Sequence, residues 1–172
     1  MPKAKSVSRS ARSRKPTRDG VRVRGFFHLK IIDDKGMVVG DSGLRKNQIV
    51  DNGFQQFLQY CIIASAGSKT ATHAVIGTGT VPGASETTLP GELTDAAGCR
   101  CALTTGTTGS KTVSFTFTLN SGITTAARTI QNVGLFNGST TNAGTMFAGN
   151  TYATSALATN QAVNGTYQII FA

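Results

Sequence analysis

Residues 73–93 read HAVIGTGTVPGASETTLPGEL. A short apolar run opens into Gly77-Thr78-Gly79, and Pro82-Gly83 follows. A glycine-rich turn after a strand can cradle a phosphate when it leads into a helix whose N-terminus holds the anion. The spacing here departs from both phosphate-binding patterns. A dinucleotide fingerprint needs G-x-G-x-x-G at the start of a helix; here the third glycine, Gly83, falls one residue late and follows a proline. A P-loop needs a lysine after its last glycine, and none follows Gly83. Thr87, Thr88, Pro90 and Gly91 then oppose the helix that either site requires. The segment is read as architecture: Gly77 and Gly79 turn the chain where a side chain would clash, Pro82-Gly83 makes a second turn, and Leu89 and Leu93 pack back onto the core.

Other residues with chemical potential do not assemble into a catalytic pattern. Nucleophilic catalysis needs a base and a group that orients it. The histidines are His28, inside an apolar run beside Phe26 and Phe27, and His73, at the start of the run before the glycines; both read as structural. The acids fall in turn sequences (Asp33, Asp34, Asp41) or in the glycine-rich segment and just after it (Glu86, Glu92, Asp95), with no apolar-flanked carboxylate pair suited to acid–base work. His28, His73, Cys99 and Cys101 could be imagined around a metal, but C-x-C without a second pair is a weak metal signature. Cys61, Cys99 and Cys101 read as reduced, apolar packing residues. No enzyme, cofactor or metal site is expected.

Charge is the sharpest feature. Of a net charge of +9, +7 lies in residues 1–18, carried by Lys3, Lys5, Arg9, Arg12, Arg14, Lys15 and Arg18 with no acid among them. Residues 1–19 are serine-rich and nearly devoid of apolar side chains, so they are expected to form a flexible basic arm that orders only on a partner. Such an arm can neutralise nucleic-acid phosphates. With no aromatic residue interleaved it offers no base stacking, so contact with nucleic acid would be non-specific. Alternatively it reaches across an acidic protein surface, or it is simply solvated.

The elements that must position these residues are mostly strands. The chain has 172 residues, enough for one domain with its own core. Residues 20–172 are expected to form that domain. Threonine, glycine, alanine and serine dominate, and there is no tryptophan; this suits many short strands joined by tight turns. VRVRGFFHLKII reads as a strand, Asp33-Asp34-Lys35-Gly36 as a turn, and Met37-Val38-Val39 as the return of a hairpin. Residues 51–63, DNGFQQFLQYCII, read as the one amphipathic helix: Asp51 is a suitable N-cap, and Phe54, Phe57, Leu58 and Cys61 form one apolar stripe. Strands are expected over 100–104, 112–119, 127–136, 145–149 and 162–171. In TVSFTFTL, Val113, Phe115, Phe117 and Leu119 share one face; in the last strand Tyr167, Ile169 and Phe171 do. A sandwich or small barrel follows. No run approaches the roughly 18 apolar residues of a membrane span, and the basic N-terminus is not followed by the apolar stretch of a secretory signal.

In their order, these segments resemble a set of small structural proteins of tailed bacteriophages and prophages, variously labelled tail, fibre-associated or virion proteins. The resemblance rests on IGTG…P…TT-L--EL within 76–93 and on I-N-GLFN…G-MFA within 130–148, and it covers residues 21–172. It implies a mainly β fold, a β-sandwich of jelly-roll-like kind with one helix. It also implies a non-enzymatic role in the virion, after synthesis in the cytoplasm of a bacterial host. A capsid decoration or cement protein, whose basic arm clamps neighbouring subunits, is the first expectation. A tail or fibre-base component is the second, and a coat protein that packages nucleic acid with its arm is the third. The expected partners are the major capsid or tail proteins and further copies of the chain, a trimer being the first guess; no membrane is involved. A carbohydrate-binding tail domain is disfavoured, since the tyrosines, Tyr60, Tyr152 and Tyr167, are few.

Overall fold

The computed structural model describes residues 22–54, 71–96, 99–109 and 112–171. The basic arm lies outside them, as do Phe57, Leu58 and Cys61 of the expected helical stripe.

The described chain is mainly β. Its strands are β1 (Val23–Ile32), β2 (Val38–Asp41), β3 (Arg45–Ile49), β4 (His73–Gly77), β5 (Cys101–Ala102), β6 (Thr104–Gly109), β7 (Thr112–Leu119), β8 (Arg128–Phe136), β9 (Met146–Leu157) and β10 (Ala162–Phe171). Every pairing is antiparallel. The strands follow one path, β5-β4-β8-β9-β3-β1-β10-β7-β6, with β2 set beside β1 and off the path. β3 is the corner. Its first residues, Arg45 to Asn47, pair with β1, and its last, Gln48 and Ile49, pair with β9. The path bends there, and its far end returns: β5 lies against β7, so the sheet is nearly closed.

Alternation explains the half of the path that has one wet face. In β1, Gly25, Phe27, Leu29 and Ile31 are buried while Phe26, His28, Lys30 and Ile32 are partly exposed. Phe115, Phe117 and Leu119 of β7 and Val163, Tyr167 and Ile169 of β10 point the same way, with Val113 packed at the margin. These faces meet Ala74 and Ile76 of β4, Ile130, Val133 and Leu135 of β8, and Phe147, Ala148 and Leu157 of β9 in one core. Phe27 and Tyr152 make an edge-to-face contact across it, ring centres 6.1 Å apart.

β4 and the second half of β8 lose that alternation. Ala74 to Gly77 and Asn132 to Phe136 are buried throughout, because these strands are covered on both faces. Val50, Val75, Leu89, Phe136 and Met146 form a second, smaller core on the outer side. What covers it is the glycine-rich segment.

Three expectations change in detail. The strand expected over 100–104 is divided into β5, Cys101–Ala102, and β6, which runs from Thr104 on to Gly109. β9 runs from Met146 to Leu157 rather than ending at residue 149: its polar continuation, NTYATS, carries no apolar alternation but pairs with β8 as far as Arg128. Residues 51–54 are helical. The Phe54 N–H bonds to the Val50 carbonyl, so the first turn begins one residue before the expected cap at Asp51. Phe54 itself is exposed.

Candidate functional site

The glycine-rich segment is stitched to the outer side of the sheet by its backbone. Gly77 bridges to Glu92, the Thr78 N–H donates to Gly91, and the Leu93 N–H donates to Ile76. Further out, Met146 donates to Thr87 and Asp51 donates to Ala84. Leu89 and Leu93 are buried, as expected. A side chain at Gly77 would strike the Asn132 carboxamide and the Gly91 carbonyl, and one at Gly79 would strike Pro90. The two glycines are therefore required by the close approach of Asn132 of β8 and of the loop's own return at Pro90 and Gly91.

Three polar clamps hold this loop and its neighbours. The first is Asn132, fully buried on the outer face of β8. Its Nδ2 lies 3.1, 3.0 and 2.8 Å from the carbonyls of Gly79, Thr80 and Pro90, so that its two N–H groups are shared among three carbonyls of the loop.

The second clamp is an ion pair almost wholly out of water. Arg100 Nε and Nη2 donate to Glu92 Oε1 and Oε2 at 2.7 and 2.8 Å, and the two side chains are 1% and 0% exposed. This is the two-pronged geometry that favours arginine over lysine. Arg100 Nη1 donates to the carbonyls of Gly138 and Ala143, at 3.1 and 2.7 Å, and the guanidinium lies over the Phe136 ring, 3.8 Å from its centre. Glu92 Oε1 also accepts the Asn142 N–H at 3.4 Å. One ion pair thus fastens the glycine-rich loop to the turn at 137–144. Asn142 in that turn has φ of 55°, a left-handed conformation that asparagine tolerates.

Asp95 and Arg128 make the third clamp, through bonds of 2.9 and 3.0 Å, and Asp95 also accepts from the Thr125 N–H and hydroxyl. The Arg128 guanidinium, followed by the Thr125 N–H, holds the Asp95 carboxyl below the usual aspartate range.

The remaining candidates are separate. His28 lies on the outer face of β1, where its Nε2 donates to Asp41 at 2.6 Å. Asp41 also accepts the Gly43 N–H; that bond and then His28 lower its pKa. His73 begins β4, receives a bond from the Thr72 hydroxyl or gives one to it, and is held less basic than usual by burial and by the charge of Arg100. The Cys99 thiol donates to the Ile123 carbonyl and the Cys101 thiol to that of Ala74; burial pushes Cys101 up to about 11. The two histidines and two cysteines do not converge, and no group of three His, Cys, Asp or Glu side chains suited to a metal occurs among the described residues. Among the described residues no helix is long and apolar enough to cross a membrane.

The chain matches no family model, no curated protein and no solved structure. What can be said of its chemistry therefore rests on these side chains. Asn132 Nδ2 and Arg100 Nη1 donate to backbone carbonyls, while Glu92 with Arg100 and Asp95 with Arg128 engage each other side chain to side chain. Lys3, Lys5, Arg9, Arg12, Arg14, Lys15 and Arg18, the expected partner-binding residues, lie outside the described residues. Arg100 and Asn132 were not singled out from sequence. The signal was present as a lone arginine between two cysteines in an apolar setting, and as an asparagine inside the strand TIQNVGLF.

Proposed function

We propose that the protein is a non-enzymatic structural subunit of a bacteriophage particle, a capsid decoration or cement protein whose basic arm clamps neighbouring subunits. The single observation that carries this reading is the division of labour along the chain. The two core clusters draw on residues from Val23 to Ile169, while +7 of the net +9 charge sits in residues 1–18. Connections in the body are pinned by polar pairs, Glu92 with Arg100 out of water and Asp95 with Arg128 partly exposed, as suits a part that must keep its shape under load from its neighbours. The arm precedes β1, and 18 extended residues reach about 60 Å, far enough to cross onto an adjacent subunit.

The body is read as a two-layer β-sandwich turned at β3. What supports this is the single core shared by the inner faces of β1, β7 and β10 and those of β4, β8 and β9. Particle assembly as a homo-oligomer with other virion proteins follows from the same reading.

Deleting residues 1–18 tests it. The truncated protein is expected to keep the thermal unfolding of the full chain but to bind DNA-free particles much more weakly. Undiminished attachment to such particles would end the clamp reading. If binding to empty particles is unchanged and the full chain instead holds duplex DNA with log K falling at about −0.9 per phosphate contacted against log salt, the arm serves the genome.

A further inference from the structure

β2 stands apart from the rest of the sheet. It pairs with β1 alone, and its other edge meets no strand among the described residues. It is also apolar where water should favour polar residues. Met37 is 64% exposed, Val38 50%, Val39 53% and, just past the strand, Leu44 62%. Val38 and Val39 are consecutive, so both faces of the strand are wet and neither is turned to the core. An edge strand of this kind is ordinarily guarded by lysine, proline or an inward charge. The register shift opposite Ile31 and Ile32 twists β2, but the strand's one charge, Asp41, is already engaged by His28. An unguarded apolar edge is a template for another strand.

The charges around the edge indicate which strand. The segment 33–46 reads DDKGMVVGDSGLRK. Asp33 and Asp34 lie at the turn end; Arg45 and Lys46, both exposed, lie at the other. Asp33 Oδ1 is used within the turn, accepting the N–H groups of Lys35 and Met37; the Asp34 side chain stands exposed. When two such segments run antiparallel about a two-fold axis, each acidic end meets the other's basic end, with the methionine and valines between them. A two-fold contact must be complementary to itself, and this one is.

We propose that the free edge of β2 joins two copies of this chain, antiparallel, about a two-fold axis close to Val39. The contact lengthens the sheet across the dimer and takes Met37, Val38, Val39 and Leu44 out of water. It does not depend on the basic arm or on the role in a phage particle. The strand is short, so the contact falls in the small, transient class, with a dissociation constant on the order of micromolar. Inside an assembly, where other contacts hold the subunits near one another, a weak contact of this kind is enough to fix their relative orientation.

Sedimentation velocity on the full chain, over a concentration series reaching about ten times that constant, is expected to show a monomer–dimer equilibrium. Val38→Lys combined with Val39→Lys places guard charges on side chains that are already exposed. It should raise the dissociation constant by about tenfold or more while the unfolding temperature stays unchanged. Lys46→Glu and Asp34→Lys should each weaken the dimer, and the two together should restore it, because the swap returns opposite charges to each end. A chain that stays monomeric throughout the series overturns the proposal. So does a dimer indifferent to the lysine pair, or single charge variants whose effects simply add.

Discussion

Glu92→Gln should be among the more damaging single changes in the body. The substitution keeps shape and volume but removes the charge opposite Arg100, whose side chain is 1% exposed. The guanidinium would be left with the carbonyls of Gly138 and Ala143 and the face of Phe136; these are dipoles and a quadrupole, not a counter-ion. Breaking a buried pair by removing one partner costs about 3–5 kcal/mol. For a domain of this size each kcal/mol lowers the melting temperature by about 2–4 °C, so a fall of roughly 6–20 °C is expected in calorimetry. The damage should also be local: protease cleavage within 137–144 should accelerate, because Arg100 is what holds that turn's carbonyls. Adding Arg100→Met should cost less than the sum of the single changes, since the second substitution removes the charge that the first left stranded. A melting temperature within about 2 °C of the parent for Glu92→Gln would refute the argument.

The lowered carboxyl pKa of Asp95 sets the sign of an acid effect. The unfolded chain binds this proton more readily than the folded one. The stabilisation is therefore complete above the ordinary aspartate pKa and is lost as pH falls through the depressed folded value. Urea unfolding at pH 7 and pH 3 should show a smaller acid loss in Asp95→Asn than in the parent; an equal loss in both would contradict the role given to Arg128. Cys101 should resist alkylation in the native protein. With its thiol near 11, only about a thousandth is thiolate at pH 8, and iodoacetamide labelling followed by peptide mass spectrometry should be more than about a hundredfold slower than after denaturation. Comparable native and denatured rates would show that burial does not protect it.

Much of the β architecture was written in side-chain order. FFHLKII, SFTFTL and TYQII alternate because one face of β1, β7 and β10 meets the core and the other meets water, and period-two patterning is the direct imprint of that condition. The turn at Asp33-Asp34-Lys35-Gly36 was legible because a local backbone requirement leaves a local residue, Gly36 having φ of 79°; Gly77 and Gly79 were legible as glycines of a turning loop, although the atoms that crowd them, in Asn132, Gly91 and Pro90, come from farther along the chain. The segregation of charge into residues 1–18 is likewise a property of composition.

Pairing across distance left no such imprint. Nothing in the order of residues says that β3 changes partners at Asn47, or that β5 comes back against β7, because each depends on contacts between segments far apart in the chain. β9 beyond residue 149 is polar and was invisible as a strand; its hydrogen bonds to β8, not its side chains, make it one. Glu92 and Arg100 are eight residues apart and look like two ordinary charges in sequence. Only the folding of the glycine-rich loop over β4 and β8 excludes water from between them, and that exclusion turns an exposed pair of little consequence into the fastening of two loops. The unguarded edge of β2 is the converse case. Met37, Val38 and Val39 read as an ordinary hairpin strand in sequence, and their significance comes from a tertiary fact: no neighbouring strand among the described residues covers them.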